Sequence, residues 1–284
     1  MPPTERRRNG DLYENENVLP FAVIANEQIL EMQTNPVIFE YINEWYHSID
    51  SQQSEDIFQK LHREVVNAHH CEITDDGSFI AVDSDAYVEY AYKADVDCAI
   101  YAWYEDANVL TATAYMEDVE IPFQEQTATM KYGGKIRRGD LFQLRFYLKN
   151  GERIDQDKIF VYGEVDGILD RYAMSIKKQQ VDINMHTDSQ LELSCVNKST
   201  NIQYVLCSIP WENGWSVTVD GEKMTEPLEI QDFVAIPINY GEHMIELRYV
   251  PQGFYAGIVI SMIALVFLLI CWRISLCFKW FYQW

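Results

Sequence analysis

Basic side chains are scarce in this sequence. Its 284 residues contain 22 lysines and arginines against 44 aspartates and glutamates, which gives a formal net charge of −22. Nucleic acids and anionic lipid surfaces are bound through clusters of basic residues, and this balance argues against either as a partner of the main surface. We therefore expect no nucleic-acid partner.

The sequence also lacks the short motifs that mark many catalytic sites. It contains no G-x-S-x-G, H-E-x-x-H or P-loop pattern, and its six cysteines form no C-x-x-C pair. Cys195 and Cys207 could be neighbours on adjacent strands, either bridged or as buried free thiols, which are the commoner state. From these absences we expect no catalytic residue, no bound metal and no cofactor in this chain.

Three short patterns contain metal-ligand residue types. Asp83-Ser-Asp85 and Asp95-Val-Asp97 have the D-x-D form, and on a strand both acids of a pair would share one face. In so acidic a chain, a solvated strand face explains them better. His69-His70-Cys71-Glu72 places four ligand types in a row, but adjacent strand residues point to opposite faces. At most two of them could then share an ion, and we expect exposed histidines instead.

A long apolar run near the end of the sequence is its strongest signal. Phe254–Trp272 contains no charged residue, and as a helix it would be about 28 Å long, enough to span a bilayer. Arg273 and Lys279 follow this run, whereas the approach to it has one base, Arg248, and two acids. The positive-inside rule then places the tail in the cytoplasm and the large soluble region outside the cell membrane.

The N-terminus carries no export signal that matches this orientation. Met1–Gly10 contains three arginines but no apolar run behind them, so it is not a signal peptide. Two interpretations stay open. The chain is either the last piece of a longer polytopic protein, or a tail-anchored protein whose soluble part lies in the cytosol.

Hydrophobic periodicity predicts a mainly β protein with a few short helices. Helical spacing favours Asn35–His47, through Val37, Ile38, Tyr41, Ile42 and Trp45, and also Ser54–Val65 and a connector at Gly163–Lys178. Period-two alternation favours strands at Ala86–Tyr92, Cys98–Tyr104 and Leu141–Leu148. Asn150-Gly151 and Asp220-Gly221 are expected to form two-residue type I′ hairpin turns.

These elements predict two β-sandwich-like extracytoplasmic domains and one C-terminal transmembrane helix. The expected organisation is a polar, partly helical peripheral segment (1–64), a β-sandwich (65–162), a helical connector (163–180), a second small β domain (181–252), the transmembrane helix (253–273) and a cytoplasmic tail (274–284).

Several short motifs near the C-terminus occur in a recognisable order. They are Ser208–Trp215 (SIPWENGW), Val219-Asp-Gly221, Gly241-Glu-His243, Glu246–Tyr249 (ELRY), Pro251–Phe254 (PQGF) and Gly257. Together with Tyr13–Pro20 (YENENVLP), they resemble the C-terminal part of the bacterial YfhO family of membrane proteins. Trp211 stands where that family usually has tyrosine, a change that an aromatic packing site should accept.

The resemblance implies a large polytopic protein, similar in its membrane part to lipid-linked sugar transferases of the GT-C type. Some members are associated with adding sugars to envelope polymers such as lipoteichoic acid. The catalytic acids of such enzymes belong to outer loops near the first membrane helices, which this sequence does not contain, so no catalytic residue carries over. The implied role is a non-catalytic module, whose partners are the lipid bilayer, an envelope glycopolymer and upstream membrane helices. A membrane-tethered carbohydrate-binding or adhesion protein is the alternative, and a cytosolic tail-anchored scaffold is a third interpretation.

Aromatic residues near predicted turns are the candidates for ligand contact. Trp211, Trp215 and Tyr240 could stack on sugar rings, as exposed aromatics do in many carbohydrate-binding β-sandwiches. The alternative is packing, with Trp215 in the core and Trp211 on a loop that faces the bilayer. Packing is the favoured interpretation of the two.

Overall fold

The structure is a computed structural model, and it describes residues 5–7, 10–12, 18–33, 35–50, 53–104, 109–122, 124–125, 129–179, 181–224 and 228–281. The chain forms two compact units. The first consists of Met1–Leu19 and Glu31–Lys178, and the second of Pro20–Leu30 and Gln179–Trp284.

Strands are the commonest element among the described residues, which also form three α-helices and two short 3-10 helices at Glu27–Glu31 and Gln156–Lys158. The α-helices are α1 (Ile38–Ile49), α2 (Ile168–Lys178) and α3 (Phe254–Phe281). The strands are β1 (Glu5–Arg7), β2 (Gly10–Leu12), β3 (Ala22–Ala25), β4 (Phe58–Lys60), β5 (His62–His69), β6 (Cys71–Ile73), β7 (Phe79–Ala81), β8 (Tyr87–Lys93), β9 (Cys98–Trp103), β10 (Val109–Met116), β11 (Val119–Ile121), β12 (Gln124–Glu125), β13 (Met130–Ile136), β14 (Leu141–Leu148), β15 (Arg153–Ile154), β16 (Phe160–Val165), β17 (Asp182–His186), β18 (Gln190–Asn197), β19 (Gln203–Pro210), β20 (Trp215–Val219), β21 (Glu222–Lys223), β22 (Leu228–Ile230), β23 (Phe233–Ile238) and β24 (Gly241–Tyr249).

The first unit is a two-sheet β-sandwich. Its five-stranded sheets have the orders β11-β10-β14-β8-β5 and β12-β13-β9-β16-β4, and a small third sheet has the order β15-β7-β6. Every second residue of β14 is fully buried from Phe142 to Leu148, as period-two alternation requires. Residues from both large sheets join one buried apolar cluster, so the predicted sandwich is confirmed.

The turn after β14 differs from the predicted hairpin. Gly151 has a positive φ of 83°, whereas Asn150 does not, and a type I′ turn needs positive φ at both positions. The N–H of Gly151 donates to the carbonyl of Ala81 on β7, and the next strand, β15, pairs with β7 instead of β14. This contact with β7 redirects the chain, and the type I′ prediction is wrong here.

The predicted helix at Ser54–Val65 is also wrong. This stretch forms β4 and the start of β5, which pair with β16 and β8 respectively. Ile57 and Leu61 are buried, and their four-residue spacing imitates one face of a helix. These residues are strands because they pair with strands distant in sequence. The local spacing of apolar residues cannot reveal such pairing.

The helices α1 and α2 confirm two of the predicted helical segments, with changes in detail. Phe39 and Asn43 form the buried face of α1, whereas Ile38, which was expected on it, is exposed. The side chain of Asn43 bonds both the N–H and the carbonyl of Phe58, which fixes α1 to β4. Helix α2 begins at Ile168 and not at Gly163, because residues 163–165 belong to β16 and residues 166–167 form a turn.

The second unit is another two-sheet sandwich. Its sheets have the orders β17-β18-β24-β20-β21 and β22-β23-β19-β3. Strand β3 comes from the segment that was expected to be peripheral, yet it is fully buried and pairs with β19. Asp220 and Gly221 both have positive φ, 52° and 84°, and join β20 to β21 as the sequence predicted.

Cys195 and Cys207 lie in the two different sheets of this second sandwich, on β18 and β19, and both are buried free thiols. The expectation that they could be neighbours on adjacent strands is therefore wrong. Burial raises the pKa of the Cys195 thiol to about 11 and that of Cys207 to about 12. Both thiols stay protonated and unreactive at neutral pH.

Helix α3 follows β24 after a short turn. Within the part of the chain that the structure describes, Phe254–Ile274 is the segment long and apolar enough to cross a membrane, with a mean hydropathy of 2.7. The helix continues to Phe281, through the region predicted as a tail. Its 28 residues extend about 42 Å, which is longer than the hydrocarbon core of a bilayer.

Candidate functional site

An open cleft of about 550 Å³ lies in the second unit, beside the start of α3. Three separate parts of the chain form it: the loop after β19, strand β22, and the end of β24 with the residues that follow. The lining residues are Trp211, Glu212, Asn213, Glu229, Tyr249 and Gln252. They combine two aromatic rings with carboxylate and amide groups.

The loop from Trp211 to Trp215 is held in place by backbone contacts. The N–H of Trp211 donates to the carbonyl of Asp232 at 2.6 Å, and the N–H of Val250 donates to the carbonyl of Gly214 at 3.0 Å. Gly214 has a φ of 141°, and a Cβ atom there would lie 2.5 Å from the carbonyl oxygen of Val250. Only glycine fits this close approach, which attaches the loop to the chain just before α3.

Tyr249 connects the aromatic and the acidic parts of the cleft. Its hydroxyl donates to the Glu212 carboxylate at 2.5 Å, and its ring packs against Trp215 with the ring centroids 5.0 Å apart. The hydrogen bond to the carboxylate raises the pKa of Tyr249, because it stabilises the protonated phenol. The phenol therefore remains a donor throughout the physiological pH range.

The three aromatic residues that the sequence suggested for sugar stacking do not form one group in the structure. Trp211 lines the cleft, and Trp215 lies behind it against Tyr249. Both indoles also pack partly against the core of the second unit, as the packing interpretation expected of Trp215. Tyr240 is 69% exposed and precedes Gly241, the first residue of β24. The Cα atoms of Tyr240 and Tyr249 are nine residues apart along an extended chain, so they are about 30 Å apart, at opposite ends of that strand.

Sequence reasoning missed five of the residues that line the cleft: Glu212, Asn213, Glu229, Tyr249 and Gln252. The motifs around PWENGW and PQGF contain three of them and were the available signal. Glu229 belongs to β22, and it reaches the cleft only because of the order of the strands in the sheet. Half-buried indole faces beside acids and amides suit sugar rings, which present apolar faces and many hydroxyl groups.

The predicted D-x-D pairs do not lie on strand faces in the structure. Asp83 and Asp85 belong to the turn between β7 and β8, and Asp95 and Asp97 to the loop between β8 and β9. The Oδ1 atom of Asp97 accepts the N–H of Arg138 at 2.7 Å, a structural role within the loop. Asp85 instead approaches two histidines, His69 and His70, which are the described residues best placed to hold a metal ion.

The second β-sandwich leads directly into an apolar helix. This arrangement places the chain in the class of membrane-associated β proteins. The sequence matches the family described as "Bacterial membrane protein YfhO" over residues 2–261, and the chain belongs to that family. The resemblance drawn from the C-terminal motifs is thereby confirmed.

Among curated proteins, the chain is similar to "Uncharacterized protein YfhO" from Bacillus subtilis (strain 168), with 33% identity over 66 residues. That match covers 22% of this chain and 7% of the length of the relative. Among solved structures, an "anti-sigma factor domain-containing protein" has 10% identity and a TM-score of 0.20, covering 66% of this chain and 82% of that chain. A likeness this weak carries no argument about fold or function.

Proposed function

We propose that this chain is the extracytoplasmic C-terminal module of a YfhO-like polytopic membrane protein. In this proposal it is a non-catalytic part of a lipid-linked glycosyltransferase system that adds sugars to an envelope polymer such as lipoteichoic acid. The cleft next to α3 binds the sugar or the polymer while the transfer itself takes place elsewhere in the full protein.

One observation carries the proposal: the cleft and the start of the apolar helix belong to the same stretch of chain. Gln252 lines the cleft and lies two residues before Phe254, where α3 begins. With α3 in a bilayer, the cleft opens at the membrane surface, which is where lipid-linked sugars and lipid-anchored polymers are presented. Membership of a bacterial membrane-protein family supports the same setting.

The composition of the cleft supports binding more than chemistry. Its lining contains two carboxylates, two amides and two aromatic rings, and one of the carboxylates, that of Glu212, is already bonded to Tyr249. Indole and phenol rings with hydrogen-bonding neighbours recognise sugars without reacting with them. The proposal therefore assigns no catalytic residue to this chain.

Binding and turnover can be measured separately. The chain, purified in detergent, is titrated with lipoteichoic acid by isothermal calorimetry, and is also incubated with a polyprenyl-linked sugar. We expect saturable binding without turnover, and an affinity loss of about tenfold in Trp211→Ala. Tyr240→Ala, an exposed aromatic outside the cleft, is the matched control and should bind normally. Turnover by the chain alone, or an equal loss in both variants, would contradict the proposal.

A membrane-tethered carbohydrate-binding or adhesion protein is the second candidate, because the same cleft would serve it. Deletion of this region from the full-length protein in cells separates the two. A module of a transferase system is needed for sugar addition to the polymer, whereas an adhesion protein leaves that decoration unchanged.

A further inference from the structure

A corner of the first unit brings together two histidines that the sequence placed on opposite sides of a strand. His69 is the last residue of β5, and His70 stands between β5 and β6 with a φ of 47°. Left-handed backbone is uncommon for residues other than glycine, although histidine is one of those that adopt it more often. Because of this turn, both imidazoles face the same side of the chain.

The two rings and one carboxylate form a tight group. The imidazoles of His69 and His70 stack with their centroids 3.9 Å apart. The two oxygens of Asp85 are shared between them: Oδ1 lies 2.5 Å from His70 Nδ1, and Oδ2 lies 3.6 Å from His69 Nε2. The Oδ2 atom of Asp83 lies 4.0 Å from His70 Nδ1.

These separations resemble those between the ligands of a small transition-metal ion. One ligand atom from each of His69, His70 and Asp85 lies within 4.8 Å of the others. A tetrahedral Zn²⁺ ion with bonds of 2.0–2.2 Å holds its ligand atoms about 3.3 Å apart, so small side-chain rotations would complete the geometry. An ordinary hydrogen bond between Asp85 and one histidine would account for the position of Asp85. It would not account for the second imidazole, which stacks beside the first.

The surroundings hold the group in place. The ring of His69 also stacks on Tyr87, with centroids 5.1 Å apart. The carbonyl of His70 accepts the N–H of Val82 at 2.9 Å, which links the corner to the turn that carries Asp83 and Asp85. The net charge of −22 draws cations toward the protein surface.

We propose that His69, His70 and Asp85 bind a Zn²⁺ ion, with water or Asp83 at the fourth position. Two imidazoles and a carboxylate are a ligand set that zinc prefers, whereas calcium and magnesium take oxygen ligands. The ion would clamp the turn between β7 and β8 to the corner between β5 and β6. This site goes beyond the proposed sugar-binding role and does not depend on it.

The test uses the whole chain in detergent, titrated with Zn²⁺ in competition with a chromophoric chelator. We expect one ion per chain, and an affinity loss of at least about tenfold in His70→Asn and in Asp85→Asn, since even outer-shell partners of a metal cause losses of that size. Asparagine tolerates the left-handed backbone of His70 and keeps the turn at Asp85, so both variants should fold. Circular dichroism verifies this.

His243→Ala is the matched control, because His243 forms a similar pair with Asp220 at 2.7 Å but without a second imidazole. Its zinc affinity should equal that of the wild type. X-ray absorption at the zinc edge should give nitrogen and oxygen ligands only, although Cys71 lies nearby. No stoichiometric binding, unchanged affinity in both site variants, or a sulfur ligand would overturn the proposal.

Discussion

The hydroxyl of Tyr249 donates a 2.5 Å hydrogen bond to the carboxylate of Glu212. This contact joins the last residue of β24, five positions before α3, to the loop after β19. It links the shape of the cleft to the chain that enters the apolar helix.

Removal of this hydroxyl should weaken ligand binding without removing the aromatic surface. In Tyr249→Phe the ring still packs on Trp215, but the Glu212 loop loses its partner. We expect the affinity for lipoteichoic acid to fall by about two- to tenfold, measured by calorimetry. Glu212→Gln is the control, because the amide oxygen still accepts the hydrogen bond. It should bind nearly as well as the wild type, and a larger loss in Glu212→Gln than in Tyr249→Phe would contradict this role.

Gly214 should be intolerant of any side chain. A Cβ atom at Gly214 would meet the carbonyl of Val250 at 2.5 Å, and its φ of 141° is strained for other residues. We expect Gly214→Ala to lower the free energy of unfolding by about 1–3 kcal/mol from strain alone, with a further cost from the clash. Denaturant unfolding of the chain in detergent measures this change in the free energy of unfolding.

Gly221→Asn provides the comparison for this variant. A Cβ atom at Gly221 meets nothing within 4 Å, and asparagine accepts its φ of 84°. Its free energy of unfolding should change little. Equal stability of the Gly214 and Gly221 variants would show that the close approach of the loop to Val250 is not needed.

Phe146 is predicted to be a main support of the first sandwich. Its side chain is fully buried, and its ring makes an edge contact with Tyr104 at a centroid distance of 4.8 Å. We expect Phe146→Ala to lower the free energy of unfolding by about 3–5 kcal/mol, because it leaves a cavity between the sheets. Val119→Ala, at a residue that is 65% exposed on β11, should change it by less than about 0.5 kcal/mol.

The stability of the first unit should decrease in alkaline solution through Tyr92. Burial raises the pKa of Tyr92 from 10.0 to about 12. Between these values the unfolded phenol loses its proton while the folded one keeps it, so stability falls as the pH rises. The loss for this group is about 2 kcal/mol by pH 12. Tyr92→Phe should reduce the slope of unfolding free energy against pH between pH 10 and 12, and an unchanged slope would contradict the assignment.

Local signals in the sequence predicted the elements that depend on local chemistry. The alternation of Leu141–Leu148 predicted β14 with its correct bounds, and Asp220-Gly221 predicted a turn because both residues tolerate positive φ. The helix expected at Ser54–Val65 failed because β4 is formed by pairing with β16, about a hundred residues later in the chain. The pairing of β3 with β19 is equally non-local.

The candidate sites were harder to predict for the same reason. The cleft joins Trp211, Glu229 and Gln252, which come from three separate parts of the second unit. The histidine corner depends on the left-handed backbone of His70, and a pattern of residue types does not reveal that angle. Adjacent residues of a strand do point to opposite faces, but His70 is not part of a strand, so the rule does not apply to it.

The side of the membrane on which the cleft lies is the central claim, and cysteine labelling tests it most directly. Tyr240→Cys places a thiol at a position that is 69% exposed, whereas Cys98, Cys195 and Cys207 are buried. Cells that express the full-length protein, with the half-exposed Cys71 changed to serine, are stripped of their wall and treated with a membrane-impermeant maleimide. The account predicts labelling in intact cells, at a level that lysis does not increase. Labelling that appears only after lysis would place this region in the cytosol and contradict the account.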